Sequence, residues 1–307
     1  MDSETREMIE QHALWIADKD QGKRASVRGG VDLQGADLEN AKLQGANLQG
    51  SNMQEVNLQG ASLQGVYFQD SNLREANLRG ANLRQASLQN VNLKGADLKN
   101  ANLFGAILSK VSLKGANLQE ASLKSAFLYK ANLQGADLRG ADLIGARLHN
   151  ANLRGTQLEG IKLRAAKMQD ACLPLANLEG VELWGINLQG ANVRGANLQL
   201  TNLEYAKLEY ADLREVDMQG ADLHGANLQG ADLRGANLKE VSLLDANLQG
   251  ADLRGADLQG TNFEGANFQD TKLSPKENIF KLRLILTTEQ LKAAIFMDEI
   301  DAVENNG

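Results

Sequence analysis

The sequence is poor in cysteine, proline and aromatic residues, and it has no long apolar run. A single cysteine, Cys172, cannot form an intramolecular disulfide or a multi-cysteine metal site. No apolar stretch approaches the roughly 18 to 20 residues that a membrane-spanning helix needs. The acidic start MDSETREMIE also lacks the apolar core of a secretory signal. The sequence therefore predicts a cytoplasmic protein that does not enter a membrane.

Catalytic and nucleic-acid-binding chemistry is also scarce. The formal net charge is −7, which disfavours direct binding to nucleic acid because phosphate attraction normally dominates such affinity. The three histidines, at positions 12, 149 and 224, are widely spaced and converge on no pocket. No calcium-loop or metal-triad spacing is present. We therefore expect no enzyme activity, no cofactor and no metal site.

The sequence is rich in a repeat of five residues. Residues 31–275 divide into 49 consecutive pentapeptides, whose central residue i is Leu in 42 and another apolar residue in the rest. Position i−2 is small or β-branched, and position i+2 is often Gly. A period of five matches neither the helical 3.6 nor the strand 2.0. A coil that turns a corner every five residues would keep these leucines inside, and if four pentapeptides make one turn, i and i−2 point inward and each residue stacks on the one 20 positions later.

Repeats such as ADLRG, ANLQG and ADLQG resemble the A(D/N)LXX signature of the pentapeptide repeat proteins. The resemblance covers about four fifths of the chain in one unbroken register. It implies an all-β fold, a right-handed quadrilateral β-helix of about 12 coils over residues 31–275. In that pentapeptide-repeat solenoid, Leu at i is stacked in the interior and the small i−2 residue lines it.

The two terminal segments differ from the repeat and predict short helical caps, which a solenoid needs to cover its open ends. Residues 1–30 would form an N-terminal helix and cap, because residues 3–18 have the pattern of a short amphipathic helix. Residues 276–307 contain a capping-box spacing from Thr287 to Gln290. This segment is interpreted as a helical cap or as a homodimer interface, and both alternatives remain open.

One outward edge of the coil collects aromatic and aliphatic residues where most repeats have polar ones. Contiguous exposed apolar area usually marks an interaction site, and Trp and Tyr are favoured binding anchors. We interpret this edge as the binding site for an unidentified protein partner, the alternative being singly tolerated exposed residues. Its members are Tyr67, Phe104, Ile107, Phe127, Tyr129, Ile144, Trp184 and Tyr205.

A second outward column, at position i+1 of another corner, is a basic ladder. Acidic residues lie close to it in the sequence, which favours a solvated and locally neutralised face over a site for an anionic partner. Aromatic residues do not interleave with it as single-strand binding requires. Its members are Arg74, Lys94, Lys114, Arg154, Arg194, Arg214, Arg234 and Arg254.

These patterns favour a non-catalytic scaffold that binds a protein through its apolar edge. The alternative, implied by resemblance to quinolone-resistance relatives, is a DNA-mimicking modulator of a type II topoisomerase such as gyrase. Such mimicry uses a strongly acidic surface. Here the acidic column of Asp37, Asp97, Asp137, Asp217 and Asp257 is interrupted mostly by Asn, and the repeats lack the loop insertions of several such relatives.

Overall fold

The computed structural model describes residues 3–18, 21–26, 30–274 and 286–296. Along the repeat, isolated parallel bridges join residue n to residue n+20, and a two-residue turn separates each bridge from the next. Twenty residues hold four pentapeptides, so each coil of this β-solenoid has four sides. The chain divides into two compact units, Met1–Lys162 and Leu163–Gly307.

Regular strands are short, although the sequence predicted an all-β fold. Among the described residues they are β1 (Lys272–Leu273) and β2 (Ile295–Phe296), which pair in parallel. Elsewhere only position i−1 of each side is bridged. The N–H of Asn102 donates to the carbonyl of Ala81 at 2.9 Å, and that of Leu103 donates to the carbonyl of Ser122 at 2.7 Å. This side is thus bonded to both neighbouring coils, but the turns leave no room for a longer strand.

The corners are tight turns that require a left-handed residue. In one example the N–H of Ala106 donates to the carbonyl of Leu103 at 3.0 Å, with Gly105 at φ 64 between them. A positive φ at the third residue alone identifies a type II turn. Every i+2 position from 35 to 270 has a positive φ, including 22 positions that are not Gly. The backbone therefore imposes this conformation even where a side chain makes it costly.

The interior is filled as the five-residue pattern predicted. Leu103 and Leu113 are 0% exposed, and the neighbouring i−2 residues Ala101 and Ala116 are 1% exposed. The seven central residues that are not Leu are also buried: Met53, Phe68, Met168, Val193, Met218, Phe263 and Phe268. Each buried Leu contributes about 1.5–3 kcal/mol relative to an exposed one. The period thus places one apolar stack behind each side of the coil.

Helix α1 (Ser3–Ala17) lies against the first bridged residues. The N–H of Lys23 donates to the carbonyl of Gln11 at 3.1 Å, and the N–H of Ala25 donates to Nδ1 of His12 at 3.0 Å. His12 is 0% exposed, whereas the apolar residues of the helix are only half-buried or exposed. A histidine, and not an apolar residue, therefore lies at the centre of this contact.

At the other end, residues 286–296 add a further layer to the last coil. Thr287 and Gln290 form the predicted capping box at the start of α2 (Thr288–Ala293). Nε2 of Gln290 donates to the carbonyl of Phe263 at 2.7 Å, and the N–H of Asp270 donates to the carbonyl of Ala293 at 2.9 Å. Residues 276–285 and 297–307 lie outside the described residues, so the dimer interface stays a prediction.

Candidate interaction surface

Most of the first-unit edge residues come together on successive coils. Ile107 pairs with Phe127, while Tyr67 is two coils away because Ser87 lies between it and Ile107. The carbonyls of Phe104 and Ile144 accept hydrogen bonds from the neighbouring coils at the corner that precedes this side. Phe104, Ile107, Phe127, Tyr129 and Ile144 therefore share one side of the coil with its two flanking corners, and Tyr67 stands apart from them.

The first-unit edge is outward but partly covered. Phe127 and Ile144 are 36% exposed, and Tyr67 and Tyr129 are 42% exposed. Phe104 and Ile107 are half-buried. None of the six therefore points into the core.

Cations cover these rings. The guanidinium of Arg84 lies 4.6 Å from the ring centre of Phe104, and that of Arg147 lies 4.7 Å from the ring centre of Phe127. Nζ of Lys130 lies 5.2 Å from the ring centre of Tyr129. Arg24 covers Tyr67 in the same way, at 5.5 Å. Such contacts stabilise exposed sites by about 0.5–1 kcal/mol each. The edge is therefore both aromatic and cationic. Sequence reasoning missed these cations, although Arg84 is 20 residues from Phe104 and Arg147 is 20 residues from Phe127.

The two edge residues of the second unit form a separate stack. Arg164 lies 5.0 Å from the ring centre of Trp184, whose ring meets that of Tyr205 edge-on at 6.4 Å. The Tyr205 ring lies 5.5 Å from the ring of His224, and Nε2 of His224 lies 3.7 Å from Oδ2 of Asp245. Trp184 is 38% exposed and Tyr205 is 52% exposed. His224 therefore belongs to this cluster, although the apolar pattern of the sequence does not indicate it.

The structure also exposes large apolar residues that the sequence analysis missed. Leu175, Leu200 and Tyr210 are 80%, 66% and 63% exposed, and all occupy i+2 positions with positive φ. Each lies over a glycine of the following coil: a Cβ at Gly230 would lie 2.7 Å from the Tyr210 ring, and one at Gly220 would lie 2.9 Å from Leu200. A large i+2 residue followed by Gly 20 positions later is the sequence signal that could have identified them.

The basic ladder differs between the units. In the second unit Arg214, Arg234 and Arg254 each lie 2.7 Å from the aspartate two residues earlier, and Arg194 lies 2.6 Å from Glu215. A hydrogen bond from Arg214 lowers the pKa of Asp212. In the first unit Arg74 pairs with Glu75 at 2.8 Å, but Lys94 and Lys114 are exposed and have no ion pair with the described residues.

The acidic column is partly neutralised by bases. Asp97 lies 3.0 Å from Arg79, Asp137 lies 2.6 Å from Arg139, and Asp257 lies 3.1 Å from Lys239. The hydrogen bond from Arg139 is the main cause that lowers the pKa of Asp137 to about 2. These carboxylates thus face bases, and do not form an uninterrupted acidic strip.

The described residues include no group of His, Cys, Asp and Glu that could hold a metal ion. No helix in the described part of the chain has the length and apolar character of a membrane span.

A family model described as pentapeptide repeats matches the chain in eight copies between residues 32 and 274. No curated protein sequence matches significantly. Among solved structures, HetL of the cyanobacterium Nostoc sp. strain PCC 7120, a pentapeptide repeat protein involved in heterocyst differentiation regulation, is 28% identical. The match covers 77% of this chain and 91% of HetL, with a TM-score of 0.26.

Two further structures are similar. Rfr23, a pentapeptide repeat protein of the cyanobacterium Cyanothece 51142, is 31% identical over 39% of this chain and 86% of its own, with a TM-score of 0.32. Full-length QnrB1, a plasmid-mediated fluoroquinolone resistance protein, is 22% identical over 60% of this chain and 98% of its own, with a TM-score of 0.28.

Proposed function

Because this chain belongs to the pentapeptide repeat family, we propose that it is a non-catalytic interaction protein that binds a protein partner through its outward aromatic residues. The family match indicates no enzyme family. The right-handed, quadrilateral winding implied by the resemblance and a cytoplasmic location are parts of the same proposal.

The exposure of the tyrosines carries this proposal. The chain has only 4% aromatic residues, yet all four of its tyrosines are exposed: Tyr67, Tyr129, Tyr205 and Tyr210. Trp184 is also exposed. The solenoid does not need these rings, because its interior is filled by Leu and Ala. Trp, Tyr and Arg are the residues that most often dominate the energy of protein interfaces, and here Arg24 lies over Tyr67 and Arg164 over Trp184.

DNA mimicry has less support. A mimic needs unpaired acidic groups along one side, whereas Asp97, Asp137 and Asp257 each lie within ion-pair distance of a base. The aromatic residues, and not the acidic column, therefore carry the proposal.

The test is affinity capture from host lysate with mass spectrometry. Two variants remove candidate rings, Phe127→Ser/Tyr129→Ser in the first unit and Trp184→Ser/Tyr205→Ser in the second. The matched control, Leu175→Ser/Leu200→Ser, removes two exposed aliphatic side chains and no aromatic ring. We expect a partner that the wild type and the control retain and that at least one ring variant loses. Capture of topoisomerase subunits equally by all four proteins would favour DNA mimicry and refute the proposal.

A further inference from the structure

Four stacked segments of the first unit form a surface with charge of one sign. Residues 84–95, 104–115, 124–135 and 144–155 occupy the same two sides of successive coils, because Ser87, Ile107, Phe127 and Arg147 pair in sequence. Together the four segments contain eight Lys and Arg and no Asp or Glu. We name them the basic face. Its cations are Arg84, Lys94, Lys110, Lys114, Lys124, Lys130, Arg147 and Arg154.

The cations of the basic face are exposed and mostly lack acidic partners. All eight are exposed to solvent. Lys124 pairs with Asp142, which lies outside the face, at 3.0 Å. Six of the others make no ion pair with any described residue: Arg84, Lys94, Lys110, Lys114, Lys130 and Arg147. Unlike the second-unit ladder, this surface is therefore not neutralised by its own coil.

The acidic residues of these coils lie on the other two sides. The intervening segments, residues 96–103, 116–123 and 136–143, contain Asp97, Glu120, Asp137 and Asp142. The face also ends abruptly, since the segment one coil earlier, residues 64–75, contains Asp70 and Glu75. A chain with a net charge of −7 thus carries a local positive surface limited to four coils.

The basic face includes the aromatic edge of the first unit except Tyr67. Phe104, Phe127 and Tyr129 lie within its four segments, and three of its cations lie over these rings. A guanidinium held against a ring loses less conformational freedom when it binds a carboxylate, and its planar N–H groups suit bidentate pairing. Apolar anchors and preorganised cations are therefore side by side.

We infer that the basic face binds an acidic segment of the protein partner, whose carboxylates pair with the lysines and arginines while its apolar side chains pack on Phe127, Tyr129 and Ile144. The inference rests on the proposed function, because it specifies the partner of the same edge. Opposite charges across an interface select the partner and accelerate its encounter.

A polypeptide fits better than single-stranded nucleic acid. Bases stack on free ring faces, but cations already cover one face of each of the three rings. Ile107 and Ile144 offer aliphatic surface, which suits apolar side chains better than bases. The coil spacing is about 4.8 Å, so four coils span only about 14 Å. A short extended peptide matches this distance, whereas a longer polyphosphate would meet Asp70 and Glu75 beyond it.

The test is fluorescence anisotropy with two labelled probes, a hexapeptide of alternating Glu and Leu, about 20 Å long when extended, and a deoxythymidine hexamer. The face variant is Lys94→Glu/Lys110→Glu/Lys114→Glu. The control, Lys42→Glu/Lys99→Glu/Lys162→Glu, makes the same change in net charge on other sides of the first unit. We expect the peptide to bind the face variant about eightfold more weakly than the control, as three exposed ion pairs of roughly twofold each combine. We also expect its affinity to fall with added salt.

Three results would overturn the inference. Equal weakening by both triple variants would assign the binding to net charge alone. Tighter binding of the oligonucleotide than of the peptide, lost in the face variant, would make nucleic acid the partner. Loss of peptide binding in Phe127→Ser/Tyr129→Ser with no difference between the two charge variants would refute the acidic segment while leaving the proposed aromatic interaction intact.

Discussion

Acidification should loosen helix α1, because a buried histidine holds it to the first coil. His12 is 0% exposed, and its Nδ1 accepts the N–H of Ala25 at 3.0 Å. Burial is the main cause that lowers the pKa of His12, and the charge of Arg24 contributes, while backbone carbonyls at Gln44 and Leu43 oppose the shift. The folded state therefore favours the neutral imidazole, whose Nδ1 must remain unprotonated to accept this bond.

The sign and size follow from the lowered pKa. The pKa of the unfolded histidine is near 6.5. Above that pH the imidazole is neutral in both the folded and the unfolded state, so its titration does not change the stability. As the pH falls through 6.5 and toward the lower folded pKa, the unfolded segment binds a proton that the folded one resists, and stability is lost. At about pH 5.5, one unit below the unfolded pKa, the loss is at most about 1.4 kcal/mol.

Hydrogen exchange of α1 amides, corrected for intrinsic rates, measures this loss directly. We expect protection of α1 to fall, by at most about tenfold, between about pH 7.5 and pH 5.5, while the central coils keep theirs. His12→Asn is the control, because its side-chain oxygen can accept the N–H of Ala25 without titrating in this range. An equal fall in His12→Asn, or greater protection of wild-type α1 in acid, would refute the reasoning.

Three further predictions concern stability and can be checked by thermal or denaturant unfolding. Leu113→Ala should lower the free energy of unfolding by about 2–5 kcal/mol, because Leu113 is 0% exposed. Lys114→Ala should change it by less than about 0.5 kcal/mol, because Lys114 is exposed. Similar losses in the two variants would contradict the assignment of inward and outward positions. Gly230→Ala should cost more than Gly250→Ala, since both have positive φ but only the first Cβ would meet a tyrosine ring, at 2.7 Å; equal costs would show that the turn alone decides. Gln290→Ala should cost about 1–2 kcal/mol and speed amide exchange in the last coil, and unchanged exchange there would show that this residue does not cap it.

The position of the interior residues could be predicted because the repeat has no insertion. One inward position such as Leu103 determines all the others at multiples of five, and the columns follow at multiples of 20. The pairing of Ile107 with Phe127 could therefore be expected from their separation of 20 residues alone. The capping box at Thr287 was equally predictable, since it depends only on residues three apart.

The partners of outward side chains were harder to predict. An i+1 or i−1 position indicates that a side chain leaves the core but not which way its long chain turns. Arg84 turns to the ring of Phe104, whereas Arg214 turns to Asp212. His12 was missed for a related reason, because an amphipathic pattern ranks apolar residues first and gives no weight to a histidine that accepts a backbone hydrogen bond.

The sequence by itself determined which residues lie inside, since a five-residue period keeps its central leucines together only in a coil that turns a corner every five residues. The tertiary structure decided the surface. Stacking places residues 20 apart in contact, and only then do the unpaired cations of the first unit gather around Phe104, Phe127 and Tyr129 while the arginines of the second unit meet aspartates. The physical reason is that burial depends on local pattern, whereas the pairing of exposed charges depends on what the neighbouring coils present.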